Sequence, residues 1–213
     1  MPTYLNRIKA NVILKKHPYN KGIKMQAHHL ISKKAMKLAI GEKKSKDKIS
    51  KADIEALGYD INALNNLVFI PSTLPGACHL KVQLHRGNHV AGFEEEDDFE
   101  PKKYHNAVKR LISDVIIKID KGKYCQKPKQ FLQKDLDKKS KYILQKIEGF
   151  DWKLTSMCES FHPSSNTGCC NETSTTKGQS AYTSNKTCSK NRNHAPDISW
   201  ETPRNGYKLK VGQ

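Results

Sequence analysis

Between Lys102 and Ile119 the apolar residues fall at Tyr104, Val108, Leu111, Ile112, Val115, Ile116 and Ile119. Steps of four, three and one residue wind these positions into a single stripe along a helix. A helix with one continuous apolar face has to bury it against another layer, so this segment commits the chain to a packed core. Lys103, Lys109, Arg110 and Lys118 fall mostly on the other side.

The neighbouring pattern is shorter and more mixed. Residues 1–24 are basic with apolar Ile8, Val12, Ile13 and Leu14, and suit either a helix or a strand. Met25–Ile31 reads as a short strand. Ser32 reads as the N-cap of a helix over Lys33–Ile40, with Gly41 as its stop. Glu42–Lys48 reads as a charged loop. Ser50-Lys51-Ala52-Asp53 is a capping box with Asp in place of Glu, opening a helix that Gly58 ends. Leu67–Ile70 is a buried strand closed by Pro71, and Pro71–Gly76 reads as a turn-rich loop. Glu94–Asp98 reads as an acidic loop, and Phe131–Ile147 as a second, less regular helix. Strands and helices in this order define an α+β class.

Only 36% of the 213 residues are hydrophobic and 8% aromatic, so part of the chain is expected to stay unpacked. That part is the end. Residues 151–213 are poor in branched apolar side chains and rich in Ser, Thr, Asn and Gly. Such a composition cannot offset its ordering entropy, which makes this a disordered tail following a domain at residues 1–150. Its N-x-S/T sequons, Asn171 and Asn185, are read as chance.

The net charge is +17, and it is uneven. Residues 1–50 carry 13 basic and 2 acidic side chains, residues 51–100 carry 3 and 9, and residues 101–150 carry 14 and 5. Two positive segments flanking an acidic middle attract polyanions, nucleic acid foremost. No stretch approaches the roughly 18 apolar residues of a membrane helix. Met1–Arg7 lacks the apolar stretch of a secretory signal, so a cytoplasmic location in the producing cell is expected, with export by a specialised secretion system left open. Six cysteines without a C-x-x-C pair argue against a disulfide scaffold or zinc ribbon and for a reducing compartment.

The histidines carry the chemistry. Of nine, four make a pattern: His28-His29, and His85 and His89 within His85-Arg86-Gly87-Asn88-His89. Phosphodiester hydrolysis needs an activated water and positive charge on the phosphorane and the leaving oxygen. About three imidazoles on one divalent metal supply the charge, and one more takes the proton. If a helix begins near His85, then His89 shares its face. The adjacent pair His28-His29 reaches one site only at a strand end or a bulge, because neighbours in a strand point to opposite faces. His79 and His105 lie close in sequence and read as ordinary histidines.

Ala27-His28-His29 opens a longer match. Gly58-Tyr59-Asp60-Ile61-Asn62, Asn66-Leu67-Val68-Phe69-Ile70-Pro71, His85-Arg86-Gly87-Asn88-His89 and Tyr104-His105-Asn106-Ala107-Val108 follow in order. This series, over residues 24–119, resembles the AHH family of HNH-superfamily, or His-Me finger, nucleases. The resemblance implies a ββα-metal core. It makes His28, His85 and His89 metal ligands and His29 the general base, with Asn66 fixing the loop and the base histidine. It also implies a bacterial toxin-type endonuclease with a cognate immunity protein. Arg86, Lys33 and Lys34 would hold the nucleic-acid backbone, DNA in preference to RNA, with little sequence specificity. The expected cofactor is one divalent metal ion, Zn, Ni, Mn or Mg, the imidazoles favouring a transition metal as tight binder. Two departures stand out. Leu67 occupies the place of a frequent Gly, and Val90–Phe93 and the acidic run separate His89 from the Tyr104 helix. The competing readings are a nucleic-acid-binding protein with a structural zinc and a membrane-active protein whose sign would be an exposed apolar face on 102–119.

Overall fold

The computed structural model describes residues 3–13, 16–41, 50–85, 100–154 and 207–213. Helix α1 spans Tyr4–Val12 and is capped by Thr3, whose hydroxyl accepts from the Asn6 N–H. A short 3-10 helix, Pro18–Lys21, leads into strand β1, Met25–His29. Helix α2, Lys33–Gly41, and helix α3, Lys51–Ala56, follow. Strand β2 covers Leu67–Pro71, helix α4 Leu74–Leu80, helix α5 Glu100–Asp120 and helix α6 Gln130–Glu148. Helices around a small antiparallel sheet make the fold α+β, as the sequence pattern indicates.

The capping signals hold at atomic level. Ser32 Oγ accepts the Ala35 N–H at 3.0 Å and so starts α2. At α3 the Ser50 hydroxyl accepts from the Asp53 N–H, and the Asp53 carboxylate accepts from the Ser50 N–H at 2.6 Å. Exposed though it is, Asp53 is held below its ordinary carboxyl pKa by the bonds from Ser50.

The stripe on α5 is core. Val108, Ile112, Val115 and Ile116 are buried, and α2 packs along this helix. Burial of each such side chain is worth roughly 1.5–3 kcal/mol. With its apolar face turned inward, α5 lacks the feature that a membrane-active reading requires. No helix among the described residues is long and apolar enough to cross a membrane.

β1 and β2 pair antiparallel, with His28 opposite Val68 and His29 opposite Leu67. All five residues of β2 are buried, because α1, α4 and β1 cover it. Asn66 precedes β2 and is fully buried. Its side-chain amide bridges the far end of β1. Oδ1 accepts the Ile31 N–H at 2.7 Å and the Ser140 hydroxyl at 2.9 Å, and Nδ2 donates to Ile31 O at 3.0 Å and Ile61 O at 2.8 Å.

Two expectations are corrected. The loop expected over Pro71–Gly76 gives way to α4 from Leu74 onward. Thr73 caps it, and Pro75 falls in the first turn, where a missing N–H costs nothing. The segment after His85, which would carry a helix placing His89 on the same face, lies outside the described residues. Lys81, with φ of 57°, turns the chain after α4, and His85 lies in non-helical backbone whose N–H donates to Pro71 O at 2.9 Å. His89, Arg86 and the acidic run lie outside the described residues.

The second concerns the tail. Leu154 is fully buried, and its N–H donates to Gln83 Oε1 at 2.8 Å. Residues 207–213 run from α4 to β2: Tyr207 N–H donates to Leu80 O at 2.9 Å, Gly212 N–H to Leu67 O at 2.6 Å and Phe69 N–H to Gln213 O at 2.7 Å, while Leu209 is buried. These residues satisfy the edge of β2 that β1 leaves open. Residues 155–206 lie outside the described set.

Candidate active site

The histidine doublet solves its geometric problem by position. His29 is the last residue of β1, so the strand ends as the pair is presented. His28 is buried at 2% exposure, His29 is half-buried, and both line one open cavity of about 760 Å³. His85, Lys33, Lys34 and His105 line the same cavity.

His85 arrives from 57 residues away and places Nε2 3.1 Å from His28 Nδ1. The arm that carries it is fixed by buried Gln83, whose Nε2 donates to Ile147 O at 2.7 Å and Trp152 O at 2.8 Å. On its other side His28 Nε2 lies 2.9 Å from the Tyr104 hydroxyl. That hydroxyl donates to Leu30 O at 2.7 Å, so it accepts from His28, which therefore carries its proton on Nε2. The lone pair is left on Nδ1, the nitrogen that faces His85. Burial raises the Tyr104 pKa well above its ordinary value and keeps it a neutral hydroxyl.

His29 is held separately. Its Nε2 lies 3.0 Å from Asn62 Oδ1, an oxygen that can only accept. His29 thus also carries its proton on Nε2 and keeps a lone pair on Nδ1. Burial lowers its pKa, the Asn62 bond opposes this, and the Lys33 charge lowers it further. A lowered pKa leaves the imidazole neutral near pH 7. The Tyr4 ring packs against it, centroids 4.6 Å apart.

The side-chain hydrogen bonds of Asn66 go to Ile31, Ile61 and Ser140. Asn66 acts on the backbone that follows the doublet, by clamping Ile31. Lys33 and Lys34 open α2 beside the doublet. Lys9, Tyr4 and Tyr19 add a further cation and two aromatic rings to the cavity, a grouping with no signal in the sequence. His105 bonds through Nδ1 to Ser32 Oγ at 2.9 Å, tying α5 to the N-terminus of α2.

Two imidazole nitrogens 3.1 Å apart approach the separation of about 3.3 Å that two ligands of one tetrahedral ion adopt. The His28–His85 pair therefore fits a shared divalent metal. Among the described residues no group of three His, Cys, Asp or Glu side chains forms a metal cage. The expected third imidazole, His89, is outside that set. Tyr104 and Asn62, the partners that fix both rings, carry no such assignment in the sequence. Tyr104 counts there as an apolar helix position and the opening residue of a motif, and Asn62 only as part of a motif.

These features fall within a known family. A family model described as a nuclease family of the HNH/ENDO VII superfamily with conserved AHH matches residues 12–143. The chain belongs to this AHH nuclease family, and the matched range includes Ala27-His28-His29. No curated protein matches the chain, and no solved structure does. Membership of a nuclease family makes nucleic acid the substrate class.

Proposed function

We propose that the protein is a metal-dependent endonuclease that hydrolyses phosphodiester bonds on a ββα-metal core. The observation that carries this is the division of labour in the doublet. His28 turns its lone pair toward His85, while His29, next in sequence, is held apart by Asn62.

His28 and His85, with His89 as the expected third ligand, would hold the ion. When bound, a divalent metal would supply positive charge to the scissile phosphate and the departing oxygen. His29, neutral and with its lone pair on Nδ1, takes the proton from the attacking water. Lys33 and Lys34, and Arg86 by expectation, neutralise flanking phosphates without reading bases. We favour DNA as substrate, cut with little sequence specificity, and a bacterial toxin or effector role with an immunity protein as partner. The last two rest on resemblance to the family.

The test is digestion of plasmid DNA and total RNA by the purified protein with Mn, Mg or Zn, with and without EDTA. Metal-dependent cleavage of DNA above RNA supports the reading. A folded protein that binds nucleic acid and cleaves neither substrate with any metal would instead support a binding module with a structural zinc.

A further inference from the structure

The Gly58–Asn62 motif supplies none of the groups that hold metal, water or phosphate in the mechanism above, yet its last residue touches His29. Asn62 Oδ1 receives the His29 Nε2–H at 3.0 Å. Asn62 is itself held from two sides. Its backbone N–H donates to Asp60 Oδ1 at 2.9 Å, and its carbonyl accepts from Arg7 Nη1 at 3.2 Å. The same Arg7 nitrogen is ion-paired to the other Asp60 oxygen, Oδ2. One guanidinium on α1 therefore braces both the backbone of Asn62 and the carboxylate that pins it. One turn earlier on the same helix, Tyr4 lays its ring against His29.

We propose that Asn62, braced by Arg7 and Asp60, is a positioning residue that fixes the tautomer and ring orientation of His29. The inference rests on the reading of His29 as the base. The physical argument is one of tautomers. A neutral imidazole carries its proton on either nitrogen, and only the lone-pair nitrogen can accept a proton from water. An acceptor at Nε2 selects the Nε2–H form and so reserves Nδ1 for water. Arg7 is 30% and Asp60 48% exposed, so their ion pair adds little to stability. Its consequence is geometric: without it, the Asp60–Asn62 turn loses its anchor to α1, and the acceptor is no longer held opposite His29.

The test compares Asn62→Ala, Asn62→Asp, Arg7→Ala and His29→Ala with the unaltered protein, by steady-state cleavage of an oligonucleotide and by long-range proton–nitrogen spectra of the imidazoles. Loss of an outer partner of this kind typically lowers activity by about 10–100-fold. Asn62→Ala is expected to lose kcat by that factor with KM unchanged, and its His29 spectrum to shift from Nε2–H to a mixture of tautomers. Asn62→Asp retains the acceptor and is expected to restore most of kcat and the single tautomer. Arg7→Ala is expected to fall between. A folded Asn62→Ala protein that keeps its kcat and its His29 tautomer, while His29→Ala is inactive, overturns the positioning role and leaves the nuclease reading standing. Absence of cleavage by the unaltered protein overturns both.

Discussion

His28 and His85 face each other through Nδ1 and Nε2 at 3.1 Å, although 57 residues separate them in the chain. Both rings are held from outside the pair. Tyr104 fixes His28 by receiving its Nε2–H, and Gln83 anchors the segment that delivers His85. The site is thus assembled from the end of β1, the arm after α4 and the first turns of α5.

Tyr104→Phe removes the acceptor from His28 and the donor to Leu30 O. His28 then samples both tautomers, one of which places a proton on the nitrogen proposed to bind the metal. Metal affinity is expected to fall by about 10–100-fold, the usual effect of removing an outer partner of a ligand histidine. Calorimetric titration with Zn or Mn measures it.

Asn66→Ala strips partners from the Ile31 N–H and C=O, the Ile61 carbonyl and the Ser140 hydroxyl, all around a fully buried position. Each buried group left unsatisfied costs about 1–3 kcal/mol. We expect a large drop in thermal and urea stability, read by circular dichroism. Activity per folded molecule should fall as well, since Ile31 follows the doublet.

Gly58 has φ of +96°, and a Cβ there would lie 2.5 Å from Lys129 Cβ and 2.8 Å from Lys129 O. Backbone strain of this kind costs about 1–3 kcal/mol before any clash. Gly58→Ala should therefore destabilise the fold by at least that much and push the end of α3 away from Lys129. A urea midpoint lowered without a change in slope is the expected result.

Lys33 and Lys34 line the cavity beside the doublet. Replacing both with Ala should weaken nucleic-acid binding across all sequences. The salt slope of log K should shrink by about 2, near one for each phosphate no longer neutralised. Fluorescence anisotropy with a labelled duplex over a range of NaCl measures it, and unchanged slopes would remove these lysines from the interface.

What the sequence made legible was local. The α5 stripe, the Ser32 cap, the Ser50–Asp53 capping box and both strands depend on residues within a turn or two of each other, and all are observed. The period of a strand left the histidine doublet either a strand end or a bulge, and the end of β1 at His29 decides between them. The misses were long-range or masked by composition. Pro75 and Gly76 read as turn residues, yet a proline in the first turn is compatible with α4. Tyr207, Leu209 and Val211 alternate as an edge strand does, but a Ser/Thr/Asn-rich surrounding hid three residues that pack on the core. Asn62 carries no signal of its own. Its role emerges only when the fold brings it within 3.0 Å of a ring 33 residues earlier.

His28 and His85 are assigned to the metal and His29 to the proton, and one paired measurement separates these roles. Metal content and DNA cleavage are determined on the same preparations of unaltered protein, His85→Ala and His29→Ala. We expect His85→Ala to lose both metal and cleavage. His29→Ala should keep its metal and lose about 10²–10⁴-fold in rate, the usual worth of a general base. A His29→Ala protein that cuts DNA as fast as the unaltered one, or a His85→Ala protein that retains both metal and cleavage, would contradict these assignments.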